Sequence, residues 1–209
     1  TLWNKRKLMS IVKLNNRSVK DITSFGSISS LGSLTHIATQ TASSSASVSF
    51  TSGINSTYKE YIFYFVNIHP ATDGAFFTFQ ADRSGYTTYN QTITSSYFQS
   101  RHDEGDSDTQ LAYNSGNDQA QGTSFQKLSQ SLANENDASL SGFLHVFNPS
   151  STTFSKHFIC RTQQMTDSDF SFDLHIAGYF NTTNALDKLQ FKMSSGNIDS
   201  GQILLFGLN

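Results

Sequence analysis

The sequence predicts an all-β protein, a jelly-roll-like β-sandwich with an extended N-terminal arm. Phe, Tyr and Trp make up 13% of the 209 residues, and aromatic side chains favour strands and fill the cores of β-rich proteins. Short apolar runs with a period of two recur along the chain, separated by turn residues. No stretch shows the 3.6-residue periodicity of an amphipathic helix. About nine or ten short strands are therefore expected, which is typical of a sandwich or jelly roll.

The composition excludes several classes of function. Only 14% of the residues are charged and the net charge is −2, whereas a nucleic-acid-binding protein needs a clustered basic face. The basic run Lys5–Lys7 indicates a solvated tail, or an arm that touches nucleic acid or an acidic neighbour. The single Cys160 excludes an intrachain disulfide framework. No apolar run approaches the roughly 20 residues of a membrane span, and no signal peptide is visible, which predicts synthesis in a reducing cytosol.

The first 45 residues are predicted to form an extension and assembly arm. Residues 1–8 differ in character from the rest of the chain, and Met9 is either the natural start or an internal methionine. Residues 21–47 are rich in Gly and Ser, which is typical of a flexible linker. We favour an assembly arm because apolar residues recur there at every third position: Phe25, Ile28, Leu31 and Leu34. Such a row suits packing along the surface of a neighbouring molecule.

Residues 46–209 are predicted to form the sandwich. Ala46, Val48 and Phe50 alternate with serines, as in a strand with one buried face. The strongest strand is expected at 58–69, and its middle, 61–66, is apolar on both faces. Such a strand should be central in a sheet and covered on both sides. After the turn signal at 73–74, residues 75–81 are predicted to be its hairpin partner.

The pattern continues to the C-terminus. Strands are predicted at 93–99, at 111–113 within a polar loop region, at 140–147, at 154–162 and at 170–176. The chain is expected to close with a hairpin of 189–193 and 202–208 around a turn that contains Gly196 and Gly201. Because 204–208 is apolar on both faces, this last strand should be central in the sheet or covered by a neighbouring subunit.

The sequence does not predict an enzyme. The acidic loop 102–108 resembles a Ca²⁺ site only loosely, because it lacks the EF-hand order of ligands, and a solvated loop is the favoured interpretation. The histidines lack the spacing of a zinc site. Asp167 and Asp169 would form a glycosidase pair only if a cleft separated them. We therefore predict no catalytic residue, no metal and no cofactor.

Four tyrosines in the polar half of the chain are candidates for contact with a glycan. Exposed aromatic rings beside Asn, Asp and Gln can stack on sugar rings while the polar side chains bind hydroxyl groups. The alternative is that these rings pack in the core, as most large aromatic side chains do. The four candidates are Tyr86, Tyr89, Tyr97 and Tyr113.

Several stretches carry a family resemblance. STYKEYIF, HPATD, FNPSSTT and SSGNIDSG, with the start MSIVKLNNRSVKDIT, resemble structural proteins of marine tailed bacteriophages that infect cyanobacteria and related ocean bacteria. The resemblance runs from Met9 to the C-terminus and is weakest over 82–135. It implies a virion component, of the tail-fibre or capsid-decoration type.

The resemblance and the residues together set the expected function. We expect a non-enzymatic subunit on the exterior of the virion, synthesised in the host cytoplasm, that binds other virion proteins and copies of itself, with a trimer favoured. A carbohydrate-binding module that recognises a host surface glycan is the alternative. A glycan depolymerase is a third hypothesis, which the missing catalytic constellation disfavours.

Overall fold

Two antiparallel β-sheets build the part of the chain that the structure describes. The structure is a computed structural model and describes residues 34–209. Its strands are β1 (Thr35–Ser45), β2 (Val48–Phe50), β3 (Glu60–Pro70), β4 (Phe77–Asp82), β5 (Ile93–Asp103), β6 (Thr109–Tyr113), β7 (Gln126–Lys127), β8 (Leu140–Phe147), β9 (Lys156–Met165), β10 (Phe170–Phe180), β11 (Lys188–Met193) and β12 (Ile198–Leu208). The all-β prediction is confirmed. No helix in the described residues is long and apolar enough to cross a membrane.

The strands divide unequally between the two sheets. The large sheet has eight strands in the order β1-β12-β3-β8-β9-β10-β5-β6, and the small sheet has four in the order β2-β11-β4-β7. Eight strands remain when β5, β6, β9 and β10 are set aside. Among these eight, the first pairs with the last (β1 with β12), the second with the seventh (β2 with β11), the third with the sixth (β3 with β8) and the fourth with the fifth (β4 with β7). This is jelly-roll connectivity. The four additional strands extend the large sheet beyond β8.

An aromatic cluster joins the two sheets. Phe191 on β11 is fully buried and packs against five other phenylalanine rings, with centroid distances from 5.4 to 6.3 Å. These rings come from both sheets: Phe50, Phe77 and Phe79 from the small sheet, and Phe63 and Phe65 from the large sheet. The period-two patterns of the sequence therefore place one face of each sheet in a shared core.

A buried carboxylate fixes the loop that connects β4 to β5. Asp82 is fully buried. It accepts hydrogen bonds from the backbone N–H of Arg83 (2.9 Å) and of Tyr89 (3.0 Å) and from the side-chain amide of Gln91 (3.3 Å). Buried charge is tolerated where donors satisfy it in this way. The loop before β5 is thus held to the end of β4.

The two predicted hairpins at β3–β4 and β11–β12 are wrong. β3 pairs with β12 and β8, whereas β4 pairs with β11 and β7 in the other sheet. In the same way, β11 belongs to the small sheet and β12 to the large sheet. The turn residues are real, since Gly74 and Gly196 have φ values of 69° and 68°. These turns carry the chain from one sheet to the other, which local turn chemistry does not distinguish from a hairpin.

The boundary of the predicted arm differs from the described structure. Residues 35–45 form β1, which pairs with β12 along nearly its whole length. The sandwich therefore includes this stretch, and its compact unit begins at Leu34. Phe25, Ile28 and Leu31 lie outside the described residues. Leu34 is the first described residue and is partly exposed.

Candidate functional site: the outer face of the large sheet

The large sheet has one face on the core and one face turned away from the small sheet, here called the outer face. On β3, Tyr61, Phe63 and Phe65 point into the core and are at most 2% exposed. The alternate residues Ile62, Tyr64 and Val66 therefore belong to the outer face. Solvated faces of antiparallel sheets normally carry polar residues. This face instead carries apolar and aromatic side chains along most of its width.

Aromatic rings form a continuous row across four strands of the outer face. The row begins with His36 on β1, whose ring centroid lies 5.2 Å from that of Phe206 on β12. Phe206 packs against Tyr64 on β3 at 5.6 Å, and Tyr64 against Phe143 on β8 at 6.5 Å. His145, next along β8 on the same face, lies 5.0 Å from Phe143. We call these five side chains the aromatic row.

Apolar side chains continue onto the additional strands. The strand register runs from Tyr64 to Phe143, Arg161, His175, Phe98 and Tyr113, so these residues share the outer face. Phe98 on β5 and Tyr113 on β6 are each 48% exposed, and their rings pack edge to face at 5.2 Å. Ile159 on β9 and Leu111 on β6 are 50% and 81% exposed. Among the described residues, nothing covers them.

The charged groups of the outer face are already paired within the chain. Arg161 on β9 donates two hydrogen bonds to Asp173 on β10, from Nε at 2.9 Å and from Nη2 at 2.8 Å. The guanidinium lowers the pKa of Asp173, and the carboxylate raises the pKa of Arg161. His145 Nδ1 and Glu60 Oε1 on β3 form a second pair. The face therefore presents little uncompensated charge.

A shallow trough interrupts the outer face over β9, β10 and β5. Two adjoining depressions of about 620 and 320 Å³ share Ser96, Ile159 and Ala177. The small residues Ser96 and Ala177 are paired in the register and form the floor, because Ile159 on β9 and the flanking Phe98, His175 and Tyr179 are larger. Phe98 and His175 border one end, and His157 and Tyr179 border the other. The trough is mostly apolar with polar groups at its rim, which is the usual character of small-ligand sites.

A separate polar pocket lies where β3 and β12 are irregular. Its volume is about 400 Å³, and it is lined by Asn67, His69, Asn136, Asp137, Ala138, Ser139, Asp199 and Ser200. Register shifts occur in both strands here, and Asn67 has a φ of 50°. His69 Nε2 lies 3.0 Å from the carbonyl oxygen of Glu135, and its Nδ1 lies 3.8 Å from Asp199 without a hydrogen bond. The histidine therefore holds the 135–139 loop against the sheet.

The four candidate tyrosines are not brought together. Tyr97 is fully buried and Tyr89 is 8% exposed, so these rings belong to the core and do not reach a surface ligand. Burial raises the pKa of Tyr97 well above its ordinary value. Tyr86 is exposed on the loop after β4, under the guanidinium of Arg83 at 4.0 Å. Tyr113 is exposed on the outer face, in another part of the molecule.

In the acidic loop, the carboxylates of Asp103, Asp106 and Asp108 bind neighbouring residues of the same segment. Asp103 accepts hydrogen bonds from Ser107 Oγ (2.6 Å) and from the backbone N–H of Ser107 (2.8 Å) and Asp108 (2.6 Å). The Ser107 hydroxyl contributes most to lowering the pKa of Asp103 to about 2. Asp108 binds Arg101 at 2.6 Å, and Asp106 lies 3.0 Å from His102. This loop is a turn between β5 and β6, and the backbone N–H of Glu104 also joins it to the carbonyl oxygen of Asp169 at 3.1 Å.

No catalytic arrangement is formed by the candidate residues. Asp167 accepts a hydrogen bond from Ser131 at 2.9 Å, and Asp169 occupies a turn with a φ of 61°. Cys160 is buried, as predicted, and burial raises the pKa of its thiol. Within residues 34–209, no three His, Cys, Asp or Glu side chains gather where they could hold a metal ion.

Comparisons with known proteins add no function. No protein-family model and no curated protein matches the sequence. A structural-genomics protein of unknown function from Bacteroides ovatus is similar over 50% of this chain and 45% of its own, with 8% identity and a TM-score of 0.28. A likeness at this TM-score carries no argument about either chain. The resemblance to phage proteins remains a prediction from the sequence.

The sequence contains a signal for the outer face but not for the trough. Residues 61–66 and 204–208 are apolar on both faces, which predicts strands covered on both sides. Both strands are central, since β3 lies between β12 and β8, and β12 lies between β1 and β3. Among the described residues, the core side is fully covered, whereas on the outer face Tyr64, Leu204 and Phe206 are only partly buried. The trough had no sequence signal, because its residues come from three strands in different parts of the chain.

Proposed function

We propose that the protein is a non-enzymatic structural subunit of a phage virion, displayed on the particle exterior as part of a tail appendage or as a capsid decoration. The observation that carries the proposal is the apolar outer face of a jelly-roll sandwich. Exposed apolar surface of this extent marks an interaction site. The resemblance of the sequence to phage structural proteins supplies the kind of assembly.

The location of the chain in an intact particle tests this proposal. Peptides of the chain should appear in purified particles of the phage that encodes it, at a copy number set by the particle symmetry. Gold-labelled antibody should mark the distal tail for an appendage, or the capsid lattice for a decoration protein. Particles that lack the chain, although the infected cell produces it, would overturn the proposal.

Recognition of a saccharide is the second candidate function, and the trough favours it. Tyr179 and Phe98 lie at opposite ends with the small residues of the floor between them. Arg161 and His175 stand at the rim, where they can donate hydrogen bonds to hydroxyl groups. The combined depressions are large enough for a short saccharide, because ligand sites usually measure about 300–1,000 Å³.

A glycan array with matched tyrosine variants tests the second candidate. Tyr179→Ala should abolish binding if the trough is the site, whereas Tyr86→Ala should leave it unchanged, because Tyr86 lies on the loop after β4. The reverse result would move the site to the loops. An array without any bound glycan would remove this candidate function and leave the structural one standing.

A further inference from the structure

We infer that the outer face of the large sheet is the surface through which copies of this chain associate with one another. The inference rests on the proposed structural role and names its partner, a second copy of the chain. Three features of the face support this partner: its area, the pairing of its charges, and the identity of its central side chains.

The area of the outer face matches that of a stable protein interface. Eight strands of 5 to 11 residues, about 4.8 Å apart and with about 3.4 Å per residue, give an area on the order of 1,000 Å². A stable interface buries about 800 Å² on each partner. The whole face is therefore large enough for a specific contact, and the trough is then covered together with the aromatic row.

The charge distribution suits a copy of the same chain. When the same surface of two copies comes together, a cluster of unpaired charges of one sign lies opposite charges of the same sign, and the two copies repel each other. On the outer face, Arg161 is bound by Asp173 and Glu60 is bound by His145. The outer face has too little net charge to attract a strongly basic or acidic partner. A surface whose charged side chains are bound within the chain can instead face a copy of itself with little repulsion.

The centre of the face has the composition of an interface centre. Tyr64, Phe143 and Phe206 lie in the aromatic row, with Val66 beside Tyr64 on β3 and Leu204 beside Phe206 on β12. Aromatic side chains dominate the binding free energy of protein interfaces, and charged residues are depleted from their centres. The charged pairs lie next to this centre, on β3, β8, β9 and β10.

Sedimentation velocity over a dilution series tests the inference with variants of Val66. Val66 is 41% exposed, so a charge there leaves the core intact. Because a buried unpaired charge of either sign opposes association, Val66→Asp and Val66→Lys should each weaken it at least 10-fold. Phe154→Asp is the control, since Phe154 is 69% exposed on the loop between β8 and β9. The control should associate like the natural protein.

The outcomes separate the inference from the proposed function. A natural protein that stays monomeric at every concentration overturns the inference, whereas the particle experiment still decides the structural role. Association that survives both Val66 variants but is lost in Phe154→Asp also overturns it, since the contact then lies elsewhere. Circular dichroism of each variant confirms folding, and hydrogen exchange of the natural protein should show slower exchange on β3 and β12 in the associated state. A glycan that binds the associated protein through Tyr179 would contradict a fully covered face.

Discussion

Leu205 and Phe206 are adjacent on β12, and truncating them should have different consequences. Leu205 is fully buried in the core, opposite Phe63 on β3. Phe206 lies on the outer face, and its ring contacts His36 at 5.2 Å and Tyr64 at 5.6 Å. Leu205→Ala should reduce the stability of the folded chain. Phe206→Ala should mainly reduce association.

The expected magnitudes depend on burial. A buried Leu→Ala change costs about 2–5 kcal/mol of unfolding free energy, because it removes apolar contact and leaves a cavity. In a chain of this size, a loss of about 3 kcal/mol lowers the melting temperature by roughly 6–12 °C. Phe206 is only partly buried, and Phe206→Ala removes two edge-to-face contacts worth about 0.5–1.5 kcal/mol each beyond the area that they bury. Its cost to the separate chain should therefore be smaller than that of Leu205→Ala.

Urea denaturation monitored by circular dichroism, at low and at high protein concentration, measures both effects. Leu205→Ala should lower the midpoint at every concentration. Phe206→Ala should have a larger effect at high concentration, because association stabilises the natural folded chain by mass action. Equal losses for the two variants in dilute solution would refute the assignment of the two side chains to opposite faces of the sheet.

Three further predictions concern buried and hydrogen-bonded groups. Asp82→Ala should cost about 2–4 kcal/mol in urea denaturation and speed hydrogen exchange in 83–91, because three donors lose their buried acceptor; unchanged exchange there would contradict this role. The pKa of Asp103, measured by NMR of its carboxyl carbon, should be about 2, and Ser107→Ala should raise it. Because this folded-state pKa is depressed, the carboxylate stabilises the loop above the unfolded value of about 3.9 and loses that effect as the pH falls through about 2. Cys160 should resist a thiol reagent at pH 8 until the protein is unfolded, and rapid labelling of the folded chain would show that the thiol is accessible.

The sequence predicts most of the strands because their signal is local. Alternation at 48–50, 170–176 and 189–193, and the long apolar run at 61–66, coincide with strands of the structure. The pairing of β8 with β9 and of β9 with β10 also agrees with the order of the chain. The same local reasoning fails for β3–β4 and β11–β12. A tight turn can join two strands of one sheet or lead from one sheet to the other, and the turn residues are the same.

The candidate tyrosines also show that a local sequence pattern does not decide which face of a sheet a side chain occupies. The chemistry of Tyr97 and Tyr113 is identical in the sequence, yet one ring is buried and the other is exposed. The difference arises because Tyr97 points into the core from β5, while Tyr113 lies opposite the outward-facing Phe98. Sequence position assigns neither orientation, since a shift of one residue in strand register exchanges the two faces.

The sequence by itself determined that this chain is all-β, that Cys160 is buried, and that 61–66 is a central strand, and it left open whether 204–208 is central or covered by a neighbouring subunit. Each of these conclusions comes from the hydropathy and spacing of neighbouring residues. Only the tertiary structure decided that β12 lies between β1 and β3, and that His36, Phe206, Tyr64, Phe143 and His145 meet in one row. These residues are up to 170 positions apart in the sequence. Their proximity comes from jelly-roll pairing, which joins the first strand to the last and leaves one apolar face without a partner inside the described chain.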